Sequence, residues 1–511
     1  MHPKTSIRSI SLAIFLLSTW SAHIFFASAT IGGFDLADRD APKNLDTLDI
    51  ARNISSLHVV GAHLLRFGND WWTGRAIVDL VEPSSATAAS ISELDLSEAG
   101  PSQDGCNEYS RWGSAVYLHG DSGFAYVPHY REQWSESGSR SELTLYIVDY
   151  RNPSSISIAG SVAVDPIAVS RSESRWGYFG EILVAGDALL VARVEERYSK
   201  SGEANRRHSY DVYSLNEPGA PTFATNFEVP AELASAGWGH GPIGSGVDMA
   251  WGWWYPGARS TNVFVSGSVV ASSHAVPVDD TGARVRYYLD RLDVSDPQQP
   301  QLLDEVNIPG QLAYYDDAKD LAVTIEDAAP VVVKNSDWDQ CTWRGSRATI
   351  VDGACHIYHR LLNTLRVGDT TAELVSRVDL DGARISRHVA VSEGHVFTIA
   401  DDAAPYDWTE PTPIDRYIHS YRINEGHEIQ ELDPVFLSEA ANSWFSWPQL
   451  AARSSRAFLT DSNVLHVVTA EGSTPTVEAH EMPGWSCQSL QATDDRAFCA
   501  MGQSGVLAID L

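Results

Sequence analysis

The chain has 511 residues, of which 43% are hydrophobic and 20% are charged, so it is long enough to bury a large core. Its formal net charge of −31 argues against nucleic acid and anionic membranes as partners, because both are themselves negatively charged. An acidic surface of this kind most often serves solubility.

The first 29 residues have the composition of a secretory signal peptide. Lys4 and Arg8 precede an apolar run at Ile10–Leu17, and Ala27-Ser28-Ala29 is a small-residue cleavage pattern. A membrane anchor is the alternative, but polar residues interrupt the apolar run, which is then too short to span a bilayer. We therefore expect a secreted or periplasmic protein comprising residues 30–511, with no membrane span and a net charge of −33 after removal of the two basic residues.

A repeating strand pattern occupies the remainder of the chain, and such repeats should be sought before any other feature. After a strand and turn at Phe34–Ile50, each repeat contains a hairpin, a strand that mostly ends in an Asp-, Asn- or Glu-Pro turn, and a further strand. The repeats span residues 57–96, 115–164, 181–230, 262–310, 320–382, 387–437, 449–484 and 489–511. The last contains three strands and no fourth.

The clearest copy is Tyr287–Gly310, YYLDRLDVSDPQQPQLLDEVNIPG. Its β-formers suit a pleated, half-buried surface. Asp296-Pro297 then stops the strand, since proline fixes φ and lacks a backbone donor, while aspartate bonds its own backbone at turns. The sequence therefore predicts an all-β fold: one β-propeller of four-stranded antiparallel blades.

Eight blades fit the pattern best, and seven is the alternative because the boundaries around 245–261 and 331–354 are poorly defined. A pair of β-sandwiches is the competing architecture. The strand at Leu45–Ile50 could supply the missing outer strand of the last blade, which would close the ring and bury two unpaired edges.

LYIVDYRNP, YLDRLDVSDPQQP and GVLAIDL resemble the LVIVD-type repeats of secreted bacterial and archaeal β-propeller proteins. The resemblance covers nearly all the chain after residue 29 and implies the fold and export. It implies no catalytic residue, because that group has no shared catalytic motif.

All five cysteines lie after the predicted signal peptide, in the part of the chain that we expect to be exported. Disulfides persist in the oxidising environment outside the cytosol. The close pairs Cys341/Cys355 and Cys487/Cys499 are the disulfide candidates, and Cys106 is left over. No CxxC spacing occurs, so the sequence predicts no zinc site.

Three irregular insertions interrupt the repeats, and insertions of this kind map to loops on one, often ligand-binding, face. Their exposed aromatic residues could stack on sugars or anchor a protein, or pack between blades. The candidate ligand-binding residues are Trp238, His240, Asp248, Trp251, Trp253, Trp254 and Tyr255 in 237–257, Trp338 and Trp343 in 333–355, and Trp408 in 401–416.

Catalytic signatures are missing from the sequence: there is no G-x-S-x-G elbow, HExxH motif, Walker loop or dinucleotide fingerprint. No cofactor is predicted, although oxygen-rich loops could bind Ca²⁺ without an EF-hand motif. Four histidines fall near strands of neighbouring blades and could form a metal cluster in the central channel, although scattered hydrogen-bonded histidines are the simpler interpretation; they are His356, His359, His388 and His395.

These observations favour a non-catalytic, monomeric binding protein that recognises an extracellular protein or glycan through the Trp-rich loops. The alternative is an extracellular polysaccharide hydrolase or lyase with carboxylates or histidines at the central funnel, because that chemistry needs two carboxylates brought together by the fold. Metal capture is a third, weaker hypothesis.

Overall fold

The structure is a computed structural model. It describes residues 30–35, 43–49, 54–70, 75–82, 90–97, 99, 108–113, 115–136, 138–170, 175–198, 204–230, 263–278, 285–333, 348–351, 354–380, 389–403, 413–441, 449–461, 464–482, 487, 489–493, 496–500 and 506–510. The predicted signal peptide and Cys106 lie outside these residues. The described residues contain no helix of sufficient length and apolarity to cross a membrane.

An N-terminal hairpin precedes eight antiparallel sheets, the blades, numbered here in chain order. The hairpin pairs β1 (Thr30–Asp35) with β2 (Lys43–Asp49). Blade 1 contains β3 (Ile54–Val60), β4 (His63–Asp70), β5 (Arg75–Val81) and β6 (Ser90–Asp95); blade 2 contains β7 (Glu108–Trp112), β8 (Tyr117–Leu118), β9 (Phe124–Ser135), β10 (Gly138–Asp149) and β11 (Ser157–Ser170); blade 3 contains β12 (Arg175–Ala185), β13 (Ala188–Tyr198), β14 (Ala204–Ser214) and β15 (Thr222–Glu228).

The next three blades carry additional short strands. Blade 4 contains β16 (Phe264–Ser266), β17 (Val269–Pro277), β18 (Val285–Asp293), β19 (Gln301–Leu302) and β20 (Val306–Ile308); blade 5 contains β21 (Gln311–Asp316), the 3₁₀ turn Asp317–Lys319, β22 (Leu321–Val333), β23 (Ala348–Val351), β24 (Ala354–Val367) and β25 (Ala372–Asp379); blade 6 contains β26 (Val389–Ser392), β27 (His395–Ala403), β28 (Pro413–Ile423), β29 (Ile429–Glu431) and β30 (Val435–Ala441).

The last two blades are the most compact. Blade 7 contains β31 (Gln449–Arg453), β32 (Arg456–Asp461), β33 (Val464–Thr469) and β34 (Thr476–Glu481); blade 8 contains β35 (Ser489–Ala492), β36 (Arg496–Ala500) and β37 (Val506–Asp510). The prediction of an all-β, eight-bladed propeller is therefore confirmed, and seven blades is ruled out.

Turn chemistry shapes blade 4 as the sequence predicts. The backbone amide of Gln298 donates to Asp296 Oδ1 at 3.0 Å, and that of Gln299 donates to the Asp296 carbonyl at 3.0 Å. The aspartate before Pro297 thus holds the third-to-fourth turn of blade 4 with both side chain and backbone. At the first-to-second turn of the same blade, Gly267 has φ +60°, where a residue with Cβ would be strained.

Apolar side chains from neighbouring blades pack together and form the core. One cluster combines Leu190 and Val212 of blade 3 with Val270 and Leu292 of blade 4. Another joins Leu57 of blade 1 to Phe498 of blade 8, so the first and last blades are packed against each other. The backbone amide of Leu57 also donates to Ser489 Oγ at 3.4 Å.

Ring closure differs from the expectation for the N-terminal strand. A strand, β2 (Lys43–Asp49), covers the predicted closing strand as far as Asp49, but its partner is β1, with Asp46 opposite Gly33. In the described residues the last blade contains three strands. The difference has a simple cause, because β1 and β2 are close in sequence and pairing them costs far less loop entropy than pairing with blade 8. Residues 1–52 and 53–511 are two compact units.

Candidate functional site

The ten predicted ligand-binding side chains all lie outside the described residues, which end at Pro230, Val333 and Ala403 and resume at Val263, Ala348 and Pro413. Cys341 and His388 are likewise outside them, as are the side chains of Cys355, His356 and His359, whose backbone lies in β24. The flanking strands nevertheless fix where each insertion is attached.

All three insertions are attached at the same edge of the ring. In an antiparallel blade, the second-to-third connection and the fourth-to-next-first connection lie at one edge, and the other connections lie at the opposite edge. Residues 231–262 join β15 of blade 3 to β16 of blade 4, while 334–347 and 404–412 fall between second and third strands. We call this edge, marked by the strand ends Glu228, Val333 and Ala403, the insertion edge.

Blade 2 supplies aromatic residues at the insertion edge that the structure does describe. Its second and third strands form a long hairpin, and Trp134 near the tip is 45% exposed. On the same blade, the Arg111 guanidinium lies 5.4 Å from the Tyr109 ring centre and 5.9 Å from that of Tyr130. Cation–π contacts of this kind hold an arginine in one orientation.

Sequence reasoning missed this extension because it ended the second strand near Pro128 and began the third at Leu143. The structure pairs the two strands without a break as far as Ser135 and Gly138. The alternation of the intervening residues and the glycine at 138 were the available signals.

One predicted cystine is present. Cys487 and Cys499 are bonded, with their Cα atoms 5.5 Å apart, so that prediction is confirmed. Cys487 lies just before β35 and Cys499 lies in β36. The bond therefore links the start of the first strand of blade 8 to the second strand.

Buried acidic residues recur in the third strands of three blades, where Asp79, Asp211 and Asp290 are only 3%, 4% and 1% exposed. Each has a basic partner on the second strand. Arg66 Nε donates to Asp79 Oδ1 at 2.9 Å, Arg193 Nη1 to Asp211 Oδ2 at 2.8 Å, and His274 Nδ1 lies 2.7 Å from Asp290 Oδ2.

The pair in blade 4 has a third member. His274, Asp290 and Glu305 place one ligand atom each within 4.8 Å of one another, and among the described residues they are the one such group able to hold a metal ion. Burial raises the pKa of Asp290, and the negative charge of Glu305 raises it further against the opposing effect of His274. Burial alone would lower the pKa of His274, but the hydrogen bond and charge of Asp290 outweigh it and raise that pKa.

This cluster does not lie at the central funnel, where the enzymatic alternative places its carboxylates or histidines. His274 and Asp290 lie on the second and third strands of blade 4, whereas the first strand of each blade is the innermost. His395, the described member of the predicted channel histidines, is also on a second strand and stacks on Phe397, with 6.2 Å between ring centres.

Comparison with protein-family models found no match, and comparison with curated proteins found none. Among solved structures, the chain is similar to the computationally designed Ika8 protein, with 10% identity, TM-score 0.42, and coverage of 90% of this chain and 97% of that one. It is similar to the WD40 domain of SCAP from fission yeast, with 9% identity, TM-score 0.37, and coverage of 84% and 88%. It is also similar to the propeller domain of the Trilobed protease from Pyrococcus furiosus, with 9% identity, TM-score 0.34, and coverage of 86% and 97%. The propeller assignment rests on the strand pairing and not on these likenesses.

Proposed function

We propose that this protein is a secreted, non-catalytic β-propeller that binds an extracellular protein or glycan through aromatic segments at the insertion edge. The observation that carries the proposal is the shared attachment of the three aromatic insertions, residues 231–262, 334–347 and 404–412. Segments rooted at one edge can contact one ligand together, and loops on a rigid scaffold are where binding residues concentrate.

The described part of the insertion edge supports a role in recognition. Trp134 is a large exposed aromatic side chain, and Tyr109 and Arg111 on the same blade are half-buried and in cation–π contact. Tryptophan, tyrosine and arginine are the residue types that contribute most to binding interfaces. The acidic surface argues for a neutral or basic partner and against nucleic acid.

Replacing residues 237–257 with a Gly-Ser linker tests the proposal. We expect the variant to lose capture of its ligand on an array of glycans and surface proteins, while its far-UV circular dichroism stays unchanged. Phe223→Ala is the matched control, because it removes an exposed aromatic residue from an outer strand away from the insertion edge. Equal binding by the linker variant and the wild type would refute the role of this segment.

Export and catalysis are tested separately. The N-terminal sequence of protein recovered from the host envelope or medium should begin at Thr30, and an uncleaved N terminus would contradict export by this signal.

Release of reducing ends or unsaturated products from polysaccharides would favour the enzymatic alternative over a binding function.

A further inference from the structure

The three buried aspartates occupy equivalent places in their blades. Each lies two residues before a buried third-strand side chain that packs on the preceding blade: Val81, Tyr213 and Leu292 respectively. Asp79, Asp211 and Asp290 can therefore be compared directly, with the same strand position and nearly the same burial. What differs among them is the chemistry of their partners.

In blade 3 the aspartate is surrounded by donors. Arg193 donates to one carboxylate oxygen of Asp211 at 2.8 Å, and the Asn226 amide of the fourth strand donates to the other at 2.8 Å. Arginine carries a permanent positive charge, so the buried carboxylate is neutralised and both of its oxygens are satisfied. Blade 1 uses the same solution, with Arg66 bonded to Asp79.

In blade 4 the corresponding side chains are metal-ligand types. His274 takes the position of Arg193, and Glu305 of the fourth strand takes the role of Asn226. An unprotonated imidazole nitrogen and two carboxylates are all acceptors, so a cation must lie among them. That cation is either a proton on His274 or a bound metal ion. Among the described residues, no lysine or arginine forms an ion pair with Asp290 or Glu305.

The strand register of blade 4 positions Glu305. Leu302 pairs with Leu292, whereas Val306 pairs with Leu289, so the outer strand has one more residue than β18 over this interval. Blades 1 and 3 have the same irregularity just after their aspartates, so it is a shared feature of these blades. Continuing the pairing of Val306 with Leu289 by one residue places Glu305 opposite Asp290, as Asn226 lies opposite Asp211. Glu305 therefore lies beside the pair while remaining exposed, which gives an ion a path from solvent.

We propose that His274, Asp290 and Glu305 bind a divalent metal ion that takes the place of the arginine guanidinium found in blades 1 and 3. One imidazole and two carboxylates suit a first-row ion such as Zn²⁺ or Mn²⁺, with the remaining coordination positions filled by water. The ion neutralises a carboxylate that is costly to bury alone. This site is independent of the aromatic segments in the proposed binding function.

Zinc binding to the full mature chain tests the proposal. Chelator-stripped protein should take up one Zn²⁺ per chain in isothermal titration calorimetry, with Mn²⁺ and Ca²⁺ titrated for comparison. Glu305→Gln should weaken Zn²⁺ binding by at least tenfold and Asp290→Asn should abolish it. Glu93→Gln is the matched control, because Glu93 is an exposed fourth-strand acid opposite Asp79 in blade 1.

A double variant reproduces the blade 3 arrangement in blade 4. His274→Arg with Glu305→Asn should bind no Zn²⁺, and its melting temperature should match the zinc-loaded wild type more closely than the stripped one. Co²⁺-loaded wild type should show d–d absorption that is lost in Glu305→Gln, which folds because Glu305 is exposed. The proposal is overturned if the stripped protein takes up neither Zn²⁺ nor Mn²⁺ stoichiometrically, or if Glu305→Gln and Glu93→Gln bind the ion equally.

Discussion

Buried aspartates in this propeller depend on the donors around them. In blade 3, Arg193 Nη1 donates both to Asp211 Oδ2 at 2.8 Å and to the backbone carbonyl of Asp165 in blade 2 at 2.6 Å. The arginine thus neutralises an acid of its own blade and ties that blade to the preceding one. Loss of one partner of a buried pair is costly because the other charge stays buried.

This arrangement predicts unequal effects for the two partners. Arg193→Met leaves Asp211 with the Asn226 amide alone, and we expect it to lower the free energy of unfolding by about 3 kcal/mol. Asp211→Asn should cost less, because Arg193 keeps the Asp165 carbonyl. Urea unfolding measures both, and Arg207→Met, from the exposed pair Arg207–Glu228, should change stability by less than about 1 kcal/mol. Equal losses from Arg193→Met and Asp211→Asn would contradict this account.

His129 predicts an acid sensitivity. Burial, with a smaller effect of the nearby Arg131 charge, lowers the pKa of His129 from 6.5 to about 4. The folded state therefore holds His129 neutral at pH values where the unfolded chain is already protonated. Stability is fully present above about pH 6.5 and falls as the pH drops toward 4, by on the order of 3 kcal/mol.

A variant separates this contribution from other acid-sensitive groups. His129→Gln removes the titration and can still contact the hydroxyl of Ser110, which lies 2.8 Å from His129 Nε2. Between pH 7 and pH 4 its unfolding free energy should decline less steeply than that of the wild type in chemical denaturation. His63→Gln in blade 1 serves as the control. A wild-type slope in His129→Gln would refute the assignment.

At the scale of the strand and turn, neighbouring blades are joined through the third-to-fourth turns. Each of several turns accepts a hydrogen bond from a side chain of the preceding blade. The donor and carbonyl pairs are Ser92 to Pro153, Tyr126 to Pro218, Arg291 to Asp369, Thr364 to His427, and Arg422 to Ala470 and Gly472. The turn that ends one blade's third strand is therefore also a docking point for the blade before it.

Arg422→Met tests this role. The guanidinium donates to the carbonyls of Ala470 and Gly472 at 3.2 and 3.0 Å, and its loss should lower the free energy of unfolding by about 2 kcal/mol. The amide of Ala470, which donates to the Ser455 carbonyl, should exchange its hydrogen faster. Arg140→Met is the control, since among described residues the exposed side chain of Arg140 bonds only to Glu142, two residues away on the same strand. If both variants behave alike, the turns do not join the blades.

Local chemistry explains which elements the sequence could predict. The Asp-Pro turn at 296–297 is encoded within a few residues, as is the repeat that it punctuates. The bond between Arg422 and Gly472 spans 50 positions, and the approach of Glu305 to Asp290 depends on the register between two strands. Long-range register of this kind leaves no local pattern, so the candidate cation site was not visible in the sequence.

At the scale of the whole molecule, the ring closes within residues 53–511. Side chains of Leu57 and Phe498 share one apolar cluster, and Ser489 accepts the Leu57 amide. The Cys487–Cys499 bond lies on the other side of the last blade, in the apolar cluster shared with blade 7. The expectation of an additional closing strand came from counting strands, and counting cannot distinguish a strand paired with blade 8 from one paired with its own neighbour.

Removal of residues 1–52 distinguishes the two modes of closure. A chain beginning at Asn53 should keep the strand content of the wild type by circular dichroism, with an unfolding free energy changed by less than about 1 kcal/mol, because the closing contacts of Leu57, Ser489 and Phe498 all remain. Leu57→Ala in the same shortened chain removes a fully buried side chain from the closure and should cost about 2–5 kcal/mol. Urea unfolding followed by tryptophan fluorescence measures both. If instead the shortened chain is destabilised as much as Leu57→Ala destabilises the full chain, the N-terminal segment closes the ring as the strand count suggests.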